Sequence, residues 1–248
     1  PMLFKIAGTW GSHEGSLLLW GLILALWTFA VSIFSGKLPD VMLARVLGVL
    51  GCISVGFHSF MLIASNPFER LLPGAAEGMD LNPLLQDPGM IIHPPILYLG
   101  YAAFLVPFGE AIAFLVAPLS KPAASQRSQT WLVSAWIFLS AGIALGSWWS
   151  YDVLGWGGYW GWDPVEVGSL LPWLSATALL HTSQADRRYA SSKRFQLTLV
   201  LLSFLLVLFS VFITRAGVLA SVHAFGESQI AIPMAIFMGL MLISSMVL

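Results

Sequence analysis

Charged side chains are scarce in this sequence. Only 9% of its 248 residues are Asp, Glu, Lys or Arg, whereas about a quarter of the residues in a soluble domain are charged. The formal net charge is −1 and the sequence contains no basic tract, which argues against nucleic acid as a partner. Because 58% of the residues are hydrophobic, the composition predicts an all-α membrane protein that crosses the bilayer several times.

Cysteine is almost absent as well. The single cysteine, Cys52, lies inside an apolar run. One cysteine cannot form a disulfide framework within the chain, and it cannot supply the Cys-x-x-Cys-His site to which haem is attached covalently. Any haem that this chain holds is therefore expected to be held without thioether bonds.

The common catalytic motifs are also missing. The sequence has no Gly-x-Ser-x-Gly elbow, no His-Glu-x-x-His zinc helix and no phosphate-binding Gly-rich Lys motif. It also lacks the histidine pairs, about four turns apart on one helix, that are typical of dihaem cytochromes that oxidise quinol. The chain therefore offers no obvious nucleophile of its own.

Seven apolar stretches are long enough to be candidates for transmembrane helices, which need about 20 such residues. They cover about residues 16–35, 41–65, 94–118, 131–149, 164–181, 195–214 and 231–248. We interpret residues 1–248 as one membrane domain that forms a helix bundle of about seven spans. Since the sequence starts at Pro1 and stops within an apolar stretch, we expect it to be a piece of a longer protein.

Basic residues are unevenly distributed over the connecting loops, and short cytoplasmic loops collect Lys and Arg. Alternate loops hold eight of the eleven basic residues. These eight are Lys37, Arg45, Lys121, Arg127, Arg187, Arg188, Lys193 and Arg194. The loops on the opposite side are 1–15, 66–93, 150–163 and 215–230. We expect this second group to face away from the cytoplasm.

Aromatic residues and glycines are concentrated in the outer stretch "DVLGWGGYWGWDPVE", residues 152–166. Trp156, Tyr159, Trp160 and Trp162 lie within seven positions. Tryptophan and tyrosine form belts at membrane interfaces, which is one interpretation. The other is a platform for a flat ligand, because seven aromatics within residues 148–162 exceed what anchoring requires and glycines let a ligand approach the backbone.

The same stretch ends in a helix-start pattern. Asp163, Pro164 and Glu166 fit the N-cap, N1 and N3 positions, because Asp accepts hydrogen bonds from free backbone N–H groups and proline costs nothing at N1. We therefore expect the two acidic residues to be structural at least. Gly142 and Gly146 have the small-xxx-small spacing that lets transmembrane helices approach closely.

Two of the five histidines are predicted to border the outer surface near this stretch. His93 is expected at the outer end of the third helix, and His223 in the loop that follows Arg215. Paired imidazoles beside aromatic rings suit a haem iron, which takes two axial ligands. A helix cap for His93 and a solvated loop position for His223 are the alternatives. His181 lies near the cytoplasmic end of the fifth helix, where it is either a functional group or a solvated histidine.

Five segments together carry a resemblance to a known family: "WGGYWGWDPVE", "LNPLLQDPGMIIHPPILYLGY", "WGSHEGSLLLW", "LPWLSATALLHT" and "FITRAGVLASVHAF". They resemble the CcmF family of the bacterial cytochrome c maturation system. The tryptophan-rich signature is shared with the wider haem-handling superfamily that includes CcmC and CcsA. The flanking segments favour CcmF or its nitrite-reductase-specific paralogue NrfE.

The resemblance implies a haem lyase subunit, in which residues 150–166 form a periplasmic haem-handling segment. It implies that His93 and His223 ligate the iron of haem b delivered by the haem chaperone CcmE. It also places the signature residues Trp156, Trp160, Trp162 and Asp163 at this haem. A second haem b, within the membrane, would be ligated by His181 and by a histidine from a later part of the family's chain.

The resemblance further implies partners and a location. CcmH/CcmI-type subunits, apocytochrome c and the lipid of the bacterial inner membrane are the expected partners, with quinol as a further possibility. The reaction joins haem vinyl groups to the thiols of the apocytochrome, so the nucleophiles would come from the substrate. Haem propionates are anionic, and Arg215 and Arg70 on the outer side are candidates to pair with them. A transmembrane haem conduit and a quinol-linked b-type cytochrome are the alternative functions.

Overall fold

The computed structural model describes residues 2–36, 38–70, 72–74, 76–78, 81–116, 125–155, 157–189, 193–223 and 229–247, with the backbone alone at 125–128 and 185–189. The described residues form helices and contain no strand. The α-helices are α1 (Met2–Gly11), α2 (His13–Phe34), α3 (Asp40–Ala64), α4 (Pro88–Ala103), α5 (Leu105–Val116), α6 (Ser125–Val153), α7 (Pro164–Tyr189), α8 (Lys193–Arg215) and α9 (Ala231–Val247). The predicted all-α helix bundle is confirmed.

Five of the described helical segments are long and apolar enough to cross a membrane. They are α2, α3, α4 with α5 taken together, the part of α6 from Gln129, and α8. The other two predicted spans are also helical, but α9 has only 17 residues, and α7 includes Glu166, Pro172 and His181 in its 26 residues. The chain is therefore a multi-pass membrane protein.

The third predicted span is two helices that meet at Phe104. Pro107 has no N–H to donate to the carbonyl of Ala103 four residues earlier, and its ring crowds that carbonyl. The α-helical pattern accordingly stops at Ala103 and resumes at Leu105. A proline inside an apolar helical stretch predicts a kink, and Pro107 accordingly divides the span into α4 and α5.

The start of this span differs from the prediction. The sequence predicts that the helix starts at Pro94 with His93 as its cap, but α4 begins at Pro88. Asp87 is the N-cap and accepts a hydrogen bond from the Gly89 N–H at 2.7 Å. Asp followed by proline is a strong helix start, and it lies far enough upstream to place His93 inside α4. The prediction of a capping His93 is wrong.

Close packing of α4 against α6 depends on small residues. A Cβ atom added to Gly142 would lie 2.7 Å from the Cα of Leu97, and one added to Gly146 would lie 2.7 Å from Cε1 of His93. Real Cβ atoms essentially never approach other atoms that closely. The predicted small-xxx-small contact is confirmed, and its partner is the outer half of α4.

One end of the bundle brings several helix termini together, and we call it the outer end because the sequence predicts that it faces away from the cytoplasm. α2 and α4 begin there, α6 and α8 end there, and α7 starts there after the tryptophan-rich loop. A single core of buried residues continues below this end, and its largest fully buried side chains include Phe57, Phe104, Phe108 and Phe204. The packed core therefore supports the side chains at these termini, and these side chains form the candidate site.

Candidate functional site

His93 lies in the second turn of α4 and points towards α6. Its Nδ1–H donates a hydrogen bond to the carbonyl oxygen of Gly142 at 2.8 Å. This bond fixes the tautomer and the ring orientation, and it leaves Nε2 as the nitrogen with a lone pair. A metal-ligating histidine almost always donates its other ring N–H in this way.

Gly146 shapes the space beside the His93 ring. The position where its Cβ would lie is 2.7 Å from Cε1 and 3.1 Å from Nδ1 of His93. Any larger residue at 146 would push the imidazole aside. The small residue on α6 therefore serves the orientation of His93 as well as helix packing.

His223 is held in a loop by Asp163 and Ser221. Its Nδ1–H donates to the Asp163 carboxylate at 3.1 Å, and its backbone N–H donates to the Ser221 hydroxyl at 2.9 Å. The Ser221 hydroxyl in turn donates to the same carboxylate oxygen at 2.7 Å. As with His93, the ring is oriented through Nδ1 and Nε2 remains available for a ligand.

Asp163 therefore joins the tryptophan-rich stretch to His223. It also caps α7, because its carboxylate accepts from the Val165 N–H at 2.9 Å. Burial raises the pKa of Asp163, but the hydrogen bonds from Ser221, Val165 and His223 outweigh it and hold this pKa below its ordinary value. The carboxylate is consequently an anion at neutral pH, as a histidine-orienting acceptor must be.

Glu166 completes the predicted helix start. Its carboxylate accepts from the backbone N–H of Asp163 at 3.2 Å and from that of Gly161 at 2.9 Å. The first of these bonds is the reciprocal half of a capping box. The predicted roles of Asp163 and Glu166 at the start of α7 are confirmed, and Glu166 additionally fixes the backbone on both sides of Trp162.

Both candidate haem ligands line the same cavity of about 340 Å³ at the outer end of the bundle. Its wall is largely aromatic and aliphatic, and its polar lining includes Tyr98, Tyr101, Thr214 and Arg215. A smaller space of about 40 Å³, which Trp160 lines, also borders both histidines. Trp149, which lines the larger cavity, has its ring centroid 6.0 Å from that of His223.

The tryptophans of the signature differ in their surroundings. Trp160 lies beside the histidine pair, and its ring meets that of Trp162 edge-on with the centroids 6.2 Å apart. Trp162 itself is 73% exposed and has a φ of 56°, a backbone conformation that bulky residues rarely adopt. Trp156 lies outside the described residues.

His181 is not part of this cluster. It lies 18 residues after Asp163 along the chain, which in a helix corresponds to roughly 27 Å, and its side chain is exposed. Its Nδ1–H donates to the carbonyl of Thr177 at 2.8 Å, so Nε2 faces away from the helix backbone. Among the described residues the structure brings no second histidine to it.

Several residues of the site were not predicted from the sequence. The sequence marks Gly146 only as a helix-packing residue and Trp149 only as one of the aromatics of residues 148–162, and it gives no signal for Tyr98. Ser221 was also missed, and only its position two residues before His223 hints at a turn. These residues join the site because α4, α6 and α8 bring them there.

The arrangement fits a haem better than a bare metal ion. In the described part of the chain no three His, Cys, Asp or Glu side chains cluster as a metal site would require, whereas structural zinc needs four protein ligands and catalytic zinc three. Two imidazoles with available Nε2 atoms, beside an aromatic cavity, match the axial ligands and apolar faces of a porphyrin.

The chain is similar to known proteins over most of its length. A family model described as "Cytochrome C assembly protein" matches residues 10–219. The "Cytochrome c-type biogenesis protein CcmF" of Pseudomonas aeruginosa is 54% identical over 92% of the chain, and the protein of the same name in Escherichia coli is 52% identical over 92%. The "Cytochrome c-type biogenesis protein NrfE" of Haemophilus influenzae is 46% identical over 91%.

A solved structure has the same fold. The chain superposes on the "Cytochrome c Heme Lyase CcmF" with a TM-score of 0.77 and 33% identity, covering 99% of the chain and 36% of that structure's chain. The chain likewise spans 35% of the length of each of the three curated relatives.

Proposed function

Because this chain belongs to the family of cytochrome c assembly proteins, we propose that it holds haem b non-covalently and presents it for attachment to apocytochrome c. Cytochrome c-type biogenesis is the process that its relatives share by name. The proposal adds the residues and their tasks. His93 and His223 would hold the haem iron, and residues 150–166 would form the haem-handling segment of one membrane domain, 1–248.

One observation carries this proposal most strongly. His93 and His223 line one cavity, and each donates its Nδ1–H to a fixed acceptor, Gly142 for one and Asp163 for the other. Both rings therefore keep Nε2 for an external ligand. The two acceptors differ, since a carboxylate makes the His223 imidazole a stronger electron donor than a carbonyl makes His93.

The neighbouring aromatic residues complete the proposed haem site. Trp160 lies beside the two histidines, and the exposed Trp162 extends from the same loop. These two rings offer an apolar surface to a porphyrin face, and the proposal assigns Trp156 of the same signature to the same haem. Asp163 binds haem only indirectly in this proposal, because its carboxylate is already engaged by His223, Ser221 and Val165.

The lyase chemistry requires no nucleophile from this chain. Haem supplies the vinyl groups, and the thiols come from the apocytochrome. The chain's own residues bind and orient, which lowers the entropic barrier to a reaction between two held partners. Haem chaperone CcmE, CcmH/CcmI-type subunits and quinol are the proposed partners, in the bacterial inner membrane with residues 150–166 on the periplasmic side.

His181 belongs to a second proposed site. Its exposed ring has Nδ1 committed to Thr177, which leaves Nε2 for a membrane haem b whose other ligand comes from elsewhere in the protein. This site is separate from the outer cavity. It would serve electron transfer to the outer haem.

The experiment replaces each outer histidine by glycine in the protein purified from its membrane. We expect H93G and H223G each to lose the low-spin spectrum of a haem with two axial histidines, and added imidazole to restore it by filling the gap. H58G is a matched control, because His58 is a partly buried histidine whose Nδ1 is bound to the Ser54 carbonyl within α3.

If H93G and H223G retain the wild-type spectrum and still mature cytochrome c, the ligand assignment fails. Haem accumulation in vesicles without the chaperone would instead support the conduit.

A further inference from the structure

Arg215 lies at the outer end of α8 and lines the cavity that His93 and His223 share. It is only 2% exposed. Its Nη2 donates to the Tyr98 hydroxyl at 2.7 Å, and its Nη1 donates to the Ser16 hydroxyl and to the His13 carbonyl, the latter at 3.2 Å. A permanent positive charge is thus fixed in the wall of a mostly apolar cavity.

Tyr98 adds a second hydrogen-bond donor next to this charge. Its hydroxyl oxygen accepts from Arg215, so the hydroxyl hydrogen can be donated to a further acceptor. Tyr98 and Arg215 therefore form a pair of donors on one side of the cavity. The geometry of the pair is set by α4 and α8, which carry one residue each.

Other groups in the same wall are also donors. The indole N–H groups of Trp10, Trp20 and Trp149 are buried, and in the described part of the chain no acceptor meets them. All three residues line the cavity, and none of the lining residues in the described ranges is Asp or Glu. Buried donors without acceptors are unfavourable, and these N–H groups add no negative charge that would oppose an anion in the cavity.

We propose that Arg215 and Tyr98 bind a carboxylate of the ligand that His93 and His223 ligate. On the proposed function, on which this inference rests, the ligand is haem and the carboxylate is a propionate. Arg215 is the candidate rather than the other outer arginine, Arg70, because Arg70 is exposed and does not line the cavity.

The consequence is a defined orientation. The propionates of haem lie along one edge of the macrocycle, and both vinyl groups lie on the remaining pyrroles. Anchoring the carboxylate edge at Arg215 directs the vinyl-bearing part away from α8. A charge-assisted hydrogen bond of this kind, formed in a low-dielectric wall, is roughly twice as strong as a neutral one.

The test compares haem with haem dimethyl ester, whose propionates carry no charge. Both are titrated into the detergent-purified protein, and the affinity is read from the absorption spectrum. The wild type is expected to bind haem about ten- to a hundredfold more tightly than the ester, as hydrogen bonds to charged groups are worth about 1.5–3 kcal/mol. R215Q is expected to abolish this preference, and R70Q, the matched control, to retain it.

Y98F provides an independent variant, because it keeps the aromatic ring and removes one oxygen. It is expected to reduce the preference for haem over the ester by several-fold while the melting temperature stays close to that of the wild type. R215K is expected to retain part of the preference, because lysine keeps the charge and loses the guanidinium geometry.

The outcomes separate this inference from the proposed function. If R215Q weakens haem and the ester equally, Arg215 only connects α8 with α2 and α4, and the inference is overturned. If the wild type binds both forms with equal affinity and two axial histidines, the inference fails while the proposed function stands. If neither form gains two axial histidines in the wild type, the proposed function fails.

Discussion

The His223 imidazole lies 3.1 Å from the Asp163 carboxylate, across 60 residues of sequence. This contact connects the last acidic residue of the tryptophan-rich stretch to the loop after α8. Since Asp163 also caps α7 through Val165, one carboxylate sets both the start of a helix and the orientation of a proposed haem ligand. A mutation that keeps the helix cap but weakens the hydrogen bond to His223 can therefore test the two roles separately.

Asp163→Asn is expected to separate these roles. Asparagine caps helices as well as aspartate does, so the start of α7 should be kept and only the stabilisation that depends on the charge of Asp163 should be lost. The uncharged amide is a weaker acceptor for the His223 N–H, which makes the imidazole a poorer donor to iron. We expect a more positive haem reduction potential and roughly ten- to a hundredfold weaker haem binding, measured by redox titration and by absorption.

Asp163→Ala is the companion variant, because alanine removes both the cap and the acceptor. It is expected to cost about 1 kcal/mol of stability in addition to the loss of haem binding. Equal potentials in Asp163→Asn and the wild type would contradict the orienting role.

Acidification should reveal the charge of Asp163. Its pKa in the folded protein is held below the ordinary value, so the stabilisation it provides is fully present above the unfolded-state pKa, about 4, and is lost as the pH falls through the lower folded value. The difference in melting temperature between wild type and Asp163→Asn should thus be constant from about pH 5 upwards and change only at lower pH. A change centred near pH 6.5 would point to a histidine instead.

Gly146→Ala tests the space beside His93. The added methyl group would lie 2.7 Å from Cε1 of His93, so the ring must move or α6 must separate from α4. We expect a destabilisation of about 1–3 kcal/mol from overpacking and loss of the spectrum that two axial histidines produce. Gly51→Ala in α3 is the control, because nothing lies within 4 Å of the added Cβ and alanine favours the helix.

Trp162→Gly tests the unusual backbone at the tip of the tryptophan-rich stretch. Glycine adopts a φ of 56° without steric cost, so this change should stabilise the folded protein by up to about 1–2 kcal/mol. It also removes the exposed indole, and we expect the yield of mature cytochrome c to fall. A yield equal to the wild-type yield would show that the exposed indole ring of Trp162 is dispensable.

His181→Ala should leave the outer site intact. His181 lies at the opposite end of α7 from Asp163, and we expect only the membrane haem to be lost. In a redox titration, the variant should lack one transition and show the other at its wild-type potential. Loss of both haems together would contradict two separate sites.

The sequence predicts best those features that depend on interactions between residues close together in the chain. The capping pattern at Asp163 and Glu166 and the helix break caused by Pro107 depend on residues within four positions of each other, and the structure confirms both. The predicted start of α4 is wrong even so, because the His93-Pro94-Pro95 segment looks like a helix start, whereas the helix begins after the Asp87 cap.

The amino-acid sequence by itself determined that the chain is an apolar helix bundle, where its long apolar helices lie, and that His93 and His223 border the same surface. It did not predict α1, which lies in a segment expected to be a loop. Hydropathy, loop charge and helix capping are properties of short segments, so they can be read without coordinates. Only the tertiary structure decided that Gly142 and Asp163 orient the two imidazoles and that Arg215 enters their cavity. Those contacts join residues 49 or more positions apart, and they exist because α4, α6, α7 and α8 pack together at one end.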